Sequence, residues 1–204
     1  MFVCLAAGRG ERMRPLTNYL HKAMIPFYGL PFLAYSFLAL PPKCTVVIVV
    51  NHLSTQLTSY FGAEYNGRRI QYLKQVAPKG TGDALVQFSK AYNPRSPVVV
   101  WQADQLIVPD DVNLMCHSKP NSVLYSETSD GLREIGLWKL KPGTLRTLRS
   151  HFERGEYKAL PIIERDGANQ IITKGRKIEL SFDNWKNVEE ACKKFRQKFL
   201  IESR

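Results

Sequence analysis

Apolar positions along this chain fall into short unbroken runs separated by polar stretches rich in glycine and proline. The first run is Phe2, Val3, Cys4, Leu5, Ala6 and Ala7, ending at Gly8. A run without polar alternation predicts a strand buried on both faces, as in a parallel sheet. Phe32 to Leu40 is too long for a strand and stops at Pro41-Pro42, which predicts a buried helix. The β-branched run Val46 to Val50 predicts a strand, Ser54 to Phe61 a short helix, Ile70 to Gln75 a strand and Gly82 to Tyr92 a helix. Val98 to Gln102 then forms another buried strand, closed by Asp104. Strand and helix in strict alternation argue for a right-handed parallel α/β sheet. Beyond Asp104 the alternation weakens. Ser122 to Glu127 and Ile135 to Leu140 read as strands about a polar turn, Thr128-Ser129-Asp130-Gly131, while Leu145 to Phe152 and the C-terminal segment read as helices. With no internal repeat and no low-complexity linker, the later half is expected to extend the same sheet.

The stretch after the first strand carries the densest chemistry. Gly8-Arg9-Gly10-Glu11-Arg12 is followed within a few turns by Lys22. Glycines let backbone N–H groups approach oxygen closely, and an arginine fork and a lysine point charge complete what a polyphosphate needs. A loop at the carboxyl end of such a strand is where open α/β sheets bind ligands. Two familiar readings fail. A dinucleotide fingerprint lacks its third glycine, because Met13 stands there, and Gly29-Leu30-Pro31 occupies the place of the ribose-binding acid. A P-loop would need Gly-Lys-Ser/Thr after the glycines, and none follows.

The segment resembles the signature of the sugar-phosphate nucleotidyltransferases: Leu5-Ala6-Ala7-Gly8-x-Gly10-x-Arg12-Met13-x-Pro15-Leu16-Thr17, then Lys22, Met24, Ile25, Pro26 and Gly29-x-Pro31. It departs at His21, where the family usually carries proline; losing that ring frees φ and a backbone N–H. Gln75-x-x-x-x-Gly80-Thr81-Gly82-x-Ala84-Leu85 is similar to the family's second, base-contacting motif. The stretch from Leu180 to Ala191 resembles its closing pattern, in which a strand ends in a metal-ligating aspartate, here Asp183.

The resemblance implies a single Rossmann-like α/β domain over residues 1–204, of the GT-A-like kind, with a mixed, mostly parallel sheet flanked by helices. Residues 1–110 would form the nucleotide-binding half, and 111–204 the acceptor-binding half and C-terminal helix. It implies transfer of NMP from an NTP to a sugar 1-phosphate or similar small phosphomonoester, with Mg²⁺ as cofactor and pyrophosphate released. Arg12 would hold the β- and γ-phosphates, Lys22 would sit near the α-phosphate, and Asp104 and Asp183 would ligate Mg²⁺. Leu5, Ala6, Ala7, Gly8, Arg9, Gly10, Gln75, Gly80 and Thr81 would bind the nucleotide. Two carboxylates suit Mg²⁺, which takes its remaining oxygens from water and phosphate. A monoester is ionised near neutrality, its second pKa being about 6, so no general base is required. The acceptor end departs further from the family, because its Glu-Lys-Pro motif is missing. Trp138, Glu156 and Lys158 are the acceptor-binding candidates, with Lys139 and Lys141 as other replacements for the absent lysine. A shortened acceptor side also suits a compact substrate such as phosphocholine. A nucleotide-sensing domain without turnover and a glycosyltransferase on a similar sheet are the alternatives.

Composition narrows the class. The chain has 204 residues, 44% of them hydrophobic, which suits one domain with a sizeable core. No segment approaches the roughly 20 apolar residues of a membrane span. Cys4, Cys44, Cys116 and Cys192 lie far apart without C-x-x-C spacing, so buried reduced thiols and a cytoplasmic setting are expected. The net charge of +11 is densest in the last third. Without a basic run interleaved with aromatics, this fits anionic small substrates better than nucleic acid. Lys193, Lys194, Arg196 and Lys198 are read as the solvated face of the last helix. No membrane partner is expected, and the oligomeric state is left open, a homodimer included.

Overall fold

The computed structural model describes residues 1–128, 131–173 and 184–199. In chain order these form β1 (Phe2–Ala6), β2 (Pro26–Phe27), β3 (Leu30–Pro31), α1 (Phe32–Ala39), β4 (Thr45–Val50) and α2 (Ser54–Phe61). Next come β5 (Glu64–Tyr65), β6 (Arg68–Lys74), α3 (Thr81–Tyr92), β7 (Val98–Gln102) and α4 (Pro109–His117). The remainder is β8 (Ser122–Thr128), β9 (Gly131–Leu140), α5 (Pro142–Glu153), α6 (Ala159–Arg165), β10 (Asn169–Thr173) and α7 (Trp185–Phe199).

One eight-stranded sheet runs in the order β10-β8-β9-β7-β1-β4-β6-β5. The central strands are parallel: Cys4 lies opposite Ile48 of β4 on one side and Trp101 of β7 on the other. Side chains alternate between the two faces, as a strand period of two requires. Cys4, Ile48 and Trp101 pack with α1, α2 and α4 through Leu33, Phe37, Leu57, Phe61 and Met115. Val3, Val47, Val49 and Val100 pack on the other face with α3, α5 and α6 through Leu85, Phe88, Leu148 and Ile163. Two-sided burial explains why β1, β4 and β7 read as unbroken apolar runs.

The expected fold class holds, with one refinement: β9 runs antiparallel between β7 and β8, pairing Val100 with Trp138 and Val123 with Trp138. The short strands β2, β3 and β5 and the longer elements α4, α6 and β10 went unseen in the sequence. In α4 only Val112, Met115 and the acidic Asp111 are buried, and α6 carries Pro161 inside its first turn. Edge strand β10 is largely exposed, so no apolar run marks it.

β1 feeds α1 on one face of the sheet, whereas β7 is entered from α3 on the other. The crevice between the carboxyl ends of β1 and β7 is therefore a topological switch point, where such sheets accept ligands. Residues 10–25 close one side of it. Met13, Ile25, Phe27 and Phe32 form a small apolar cluster there, and Val188 and Cys192 of α7 pack against it. On the solvated face of α7, Lys193 pairs with Glu189 at 2.7 Å, both exposed.

Candidate active site

A cleft of about 540 Å³ opens at that crevice. Leu5 to Arg12, His21 to Ala23, Gln75, Gly80, Thr81 and Gln102 to Asp104 line it. Three segments far apart in sequence thus meet at one place: the loop after β1, the loop after β6 and the turn after β7. Gly10 has φ +63, and a β-carbon there would meet Thr17 at 3.0 Å and Lys22 at 3.3 Å. Its carbonyl accepts the Thr17 hydroxyl at 2.8 Å. The glycine therefore lets the loop turn back so that Lys22 lies against its own start.

His21 occupies the family's proline position and is 2% exposed. Its Nε2 donates to the Ala6 carbonyl at 2.9 Å, while its Nδ1 accepts from the Ala23 N–H at 3.1 Å. Those two bonds require the neutral ring with hydrogen on Nε2. The N–H that proline would have lacked donates to Gln56 Oε1 at 2.7 Å, and Gln56 Nε2 in turn donates to the Tyr19 carbonyl at 2.7 Å. Hydrogen bonds thus do what a fixed φ does elsewhere, and Lys22 is held as a consequence.

Burial lowers the His21 pKa to about 4, against the usual 6.5, partly opposed by the bond to Ala6. The unfolded chain takes up this proton as pH falls below about 6.5 whereas the folded chain does not until about 4, so stability is complete above that window and lost through it. Urea unfolding at pH 7 and pH 4.5 is expected to show an acid loss of about 2–3 kcal/mol from this residue. His21→Asn should flatten that slope; an unchanged slope would remove His21 from the account.

Lys22 Nζ lies 2.8 Å from Asp104 Oδ2, with the two side chains 12% and 26% exposed. Asp104 Oδ1 is buried and has no hydrogen-bond partner among the described residues. An ionised oxygen left without a donor costs free energy unless something positive reaches it. Asp104 thus has one oxygen satisfied by lysine and one available to a cation, a donor arrangement that fits Mg²⁺. Among the described residues no group of three or more His, Cys, Asp or Glu could hold a metal. Asp183, the second expected ligand, lies outside the described residues. Arg12 is exposed on the cleft rim.

Gln75 is 2% exposed and sits under the second motif. Its Nε2 donates to Asp83 Oδ2 at 2.6 Å and to the Gly80 carbonyl at 3.3 Å. The glycines of that motif answer first to protein packing. A β-carbon on Gly82 would sit 2.6 Å from the Tyr157 carbonyl oxygen, to which the Gly82 N–H donates at 2.8 Å. Gly80, at φ +118, approaches the same oxygen. Gly82→Ala should therefore cost about 1–3 kcal/mol by overpacking against rigid backbone. Chemical denaturation would read this, and a wild-type midpoint would show that residues 155–158 yield freely.

The acceptor candidates are not brought into the cleft. Trp138 is 1% exposed in the core, its Nε1 donating to Glu134 at 2.6 Å. Glu156 accepts from His151 at 2.9 Å and pairs with Arg165. Lys158 is exposed where α6 begins, as is Lys141 where α5 begins. Lys139 Nζ donates to the Cys116 and Ser118 carbonyls at 2.7 and 2.6 Å, closing the end of α4. Glu134 takes a raised pKa, chiefly from burial and secondarily from the nearby charges of Asp104 and Glu164, against the hydrogen bonds from Trp138 and Gly136. Asp83 and Glu134 were not singled out from the sequence. Asp83 had a signal: an acid in the first turn of an amphipathic helix, four residues before Gln87, on the side that packs inward.

All four cysteines are free, with Cys4 buried. No helix among the described residues is long and apolar enough to cross a membrane.

The family model described as nucleotidyl transferase matches residues 1–122. Over 112 residues the chain is 31% identical to the D-glycero-alpha-D-manno-heptose 1-phosphate guanylyltransferase of Aneurinibacillus thermoaerophilus, covering 53% of this chain and 47% of that protein. Over 86 residues it is 36% identical to the UTP–glucose-1-phosphate uridylyltransferase AglF of Haloferax volcanii, covering 41% and 35%. The chain thus aligns with less than half the length of each of these relatives. A crystal structure of UDP-glucose pyrophosphorylase complexed with UDP-glucose superimposes with a TM-score of 0.76 over 100% of both chains at 17% identity, a likeness of fold.

Proposed function

Since the chain belongs to the nucleotidyl transferase family, we propose that it moves NMP from an NTP onto a sugar 1-phosphate or similar small phosphomonoester and releases pyrophosphate. The observation that carries this reading is the 2.8 Å approach of Lys22 to Asp104 inside a cleft that the Gly8–Arg12 loop also lines. Cation, carboxylate and backbone donors together suit the reacting end of a triphosphate, and no nucleophile–base pair is needed.

The backbone of Ala7 to Gly10 and the Arg12 guanidinium would bind the phosphate tail, and Lys22 would neutralise charge developing at the α-phosphate. Asp104, with Asp183, would hold Mg²⁺. When bound, that ion would offset phosphate charge and favour departure of pyrophosphate. Gln75, Gly80 and Thr81 would orient the base. The protein's contribution is alignment of a nucleophile already ionised, together with exclusion of water.

A second reading, nucleotide binding without turnover, is favoured by the acceptor end, where Lys139 and Glu156 are committed to protein partners. Pyrophosphate release with each of four NTPs against a panel of sugar 1-phosphates and phosphocholine, with Mg²⁺ and with EDTA, separates the two. One NTP–acceptor pair is expected to release pyrophosphate only with the metal. Binding of an NTP with silence across the panel would leave the second reading.

A further inference from the structure

Asp83, in the first turn of α3, is 2% exposed, and its partners among the described residues are all amide N–H groups. Oδ2 accepts from Gln75 Nε2 at 2.6 Å, Gln87 Nε2 at 3.1 Å and the Lys79 N–H at 3.2 Å. Oδ1 accepts from Gln87 Nε2 at 3.0 Å. Gln87 closes the set by accepting the Val76 N–H and donating to the Val76 carbonyl, each at 2.9 Å. This network spans the whole loop from Gln75 to Gly80.

A carboxylate only accepts, so its presence decides which way an amide beside it points. With oxygen turned toward Oδ2 at this separation, Gln75 would set two negative dipole ends against each other in a buried place. Its nitrogen must therefore face Asp83. The second N–H of Gln75 is directed to the Gly80 carbonyl. Both donors are spent inside the protein, and Gln75 lines the cleft. What Gln75 has left for a ligand is its oxygen.

We infer that Asp83 is a positioning residue that locks Gln75 as a pure acceptor, so that the cleft selects a nucleobase presenting an amino or imino N–H at that point. The inference rests on the reading of the cleft as a nucleotide site. It gives one buried acid a role in base selection, exerted through a neighbour and without contact to the ligand.

Titration calorimetry with magnesium tripolyphosphate and with each magnesium NTP tests this, because tripolyphosphate has the tail and no base. Asp83→Leu removes both acceptor oxygens and lets the Gln75 amide turn over. The preferred NTP should then bind about tenfold more weakly, the cost of one polar contact set wrong. Tripolyphosphate binding should stay unchanged, which also shows that the variant is folded. Asp83→Asn, whose amide oxygen can take the place of Oδ2 before Gln75 Nε2, Gln87 Nε2 and the Lys79 N–H, should keep the original NTP preference. Parallel weakening of NTP and tripolyphosphate in Asp83→Leu, or loss of the preference in Asp83→Asn, would overturn the role of Asp83. Tripolyphosphate binding with no NTP preference in the unaltered chain would overturn it too. Failure of the unaltered chain to bind either probe would remove the nucleotide reading beneath it.

Discussion

Asp104→Asn is expected to lower metal-dependent pyrophosphate release by about 10²–10³-fold or more while the chain remains folded. The two side chains are nearly isosteric, so packing at the end of β7 is retained. An asparagine can still accept from Lys22 Nζ, now 2.8 Å from Oδ2. What disappears is the negative charge, and with it any reason for a divalent cation to settle beside a positive lysine. Raising Mg²⁺ should recover part of the lost rate, because the role proposed for Asp104 is to hold the ion. Full activity at ordinary Mg²⁺ would take Asp104 out of the chemistry and leave Oδ1, buried without a partner among the described residues, as an unexplained cost.

Lys22→Met should cost a similar amount, about 2.7–4 kcal/mol of transition-state stabilisation, for a different reason. Methionine keeps most of the stem that packs against Gly10, so the loop is preserved. Only the charge that would meet the α-phosphate is lost, so kcat should fall with little change in NTP affinity. Added metal should not rescue this variant, which separates it from Asp104→Asn. Because the two groups are a contact pair, the double variant should fall short of the sum of its parts. A drop of less than about threefold would assign Lys22 to holding Asp104 alone.

His21 shows where reading residues one at a time stops. From the chain alone, histidine in place of proline frees an N–H and loosens the backbone. In the fold that N–H is taken by Gln56, 35 residues away, and the imidazole ties the end of β1 to the turn that carries Lys22. Gly80 and Gly82 give a related lesson. Their small size suggests close approach by a ligand, yet the atom at closest approach is the Tyr157 carbonyl. Trp138 is a third case: an aromatic on a strand suits a pocket or a core equally, and the insertion of β9 beside β7 put it in the core.

Local pattern alone determined the runs that became β1, β4 and β7, the helices between them, and the loop of Gly8 to Lys22 at a strand's carboxyl end. Those features depend on backbone preference and on the period of apolar side chains, which neighbours in sequence encode. Tertiary structure alone decided that Asp104 meets Lys22 across 82 residues, that Asp83 accepts from Gln75, and that the acceptor candidates do not line the cleft. Such pairings depend on strand order and on which face each crossover covers. Many chain paths share the same local pattern, and only the packed sheet selects among them.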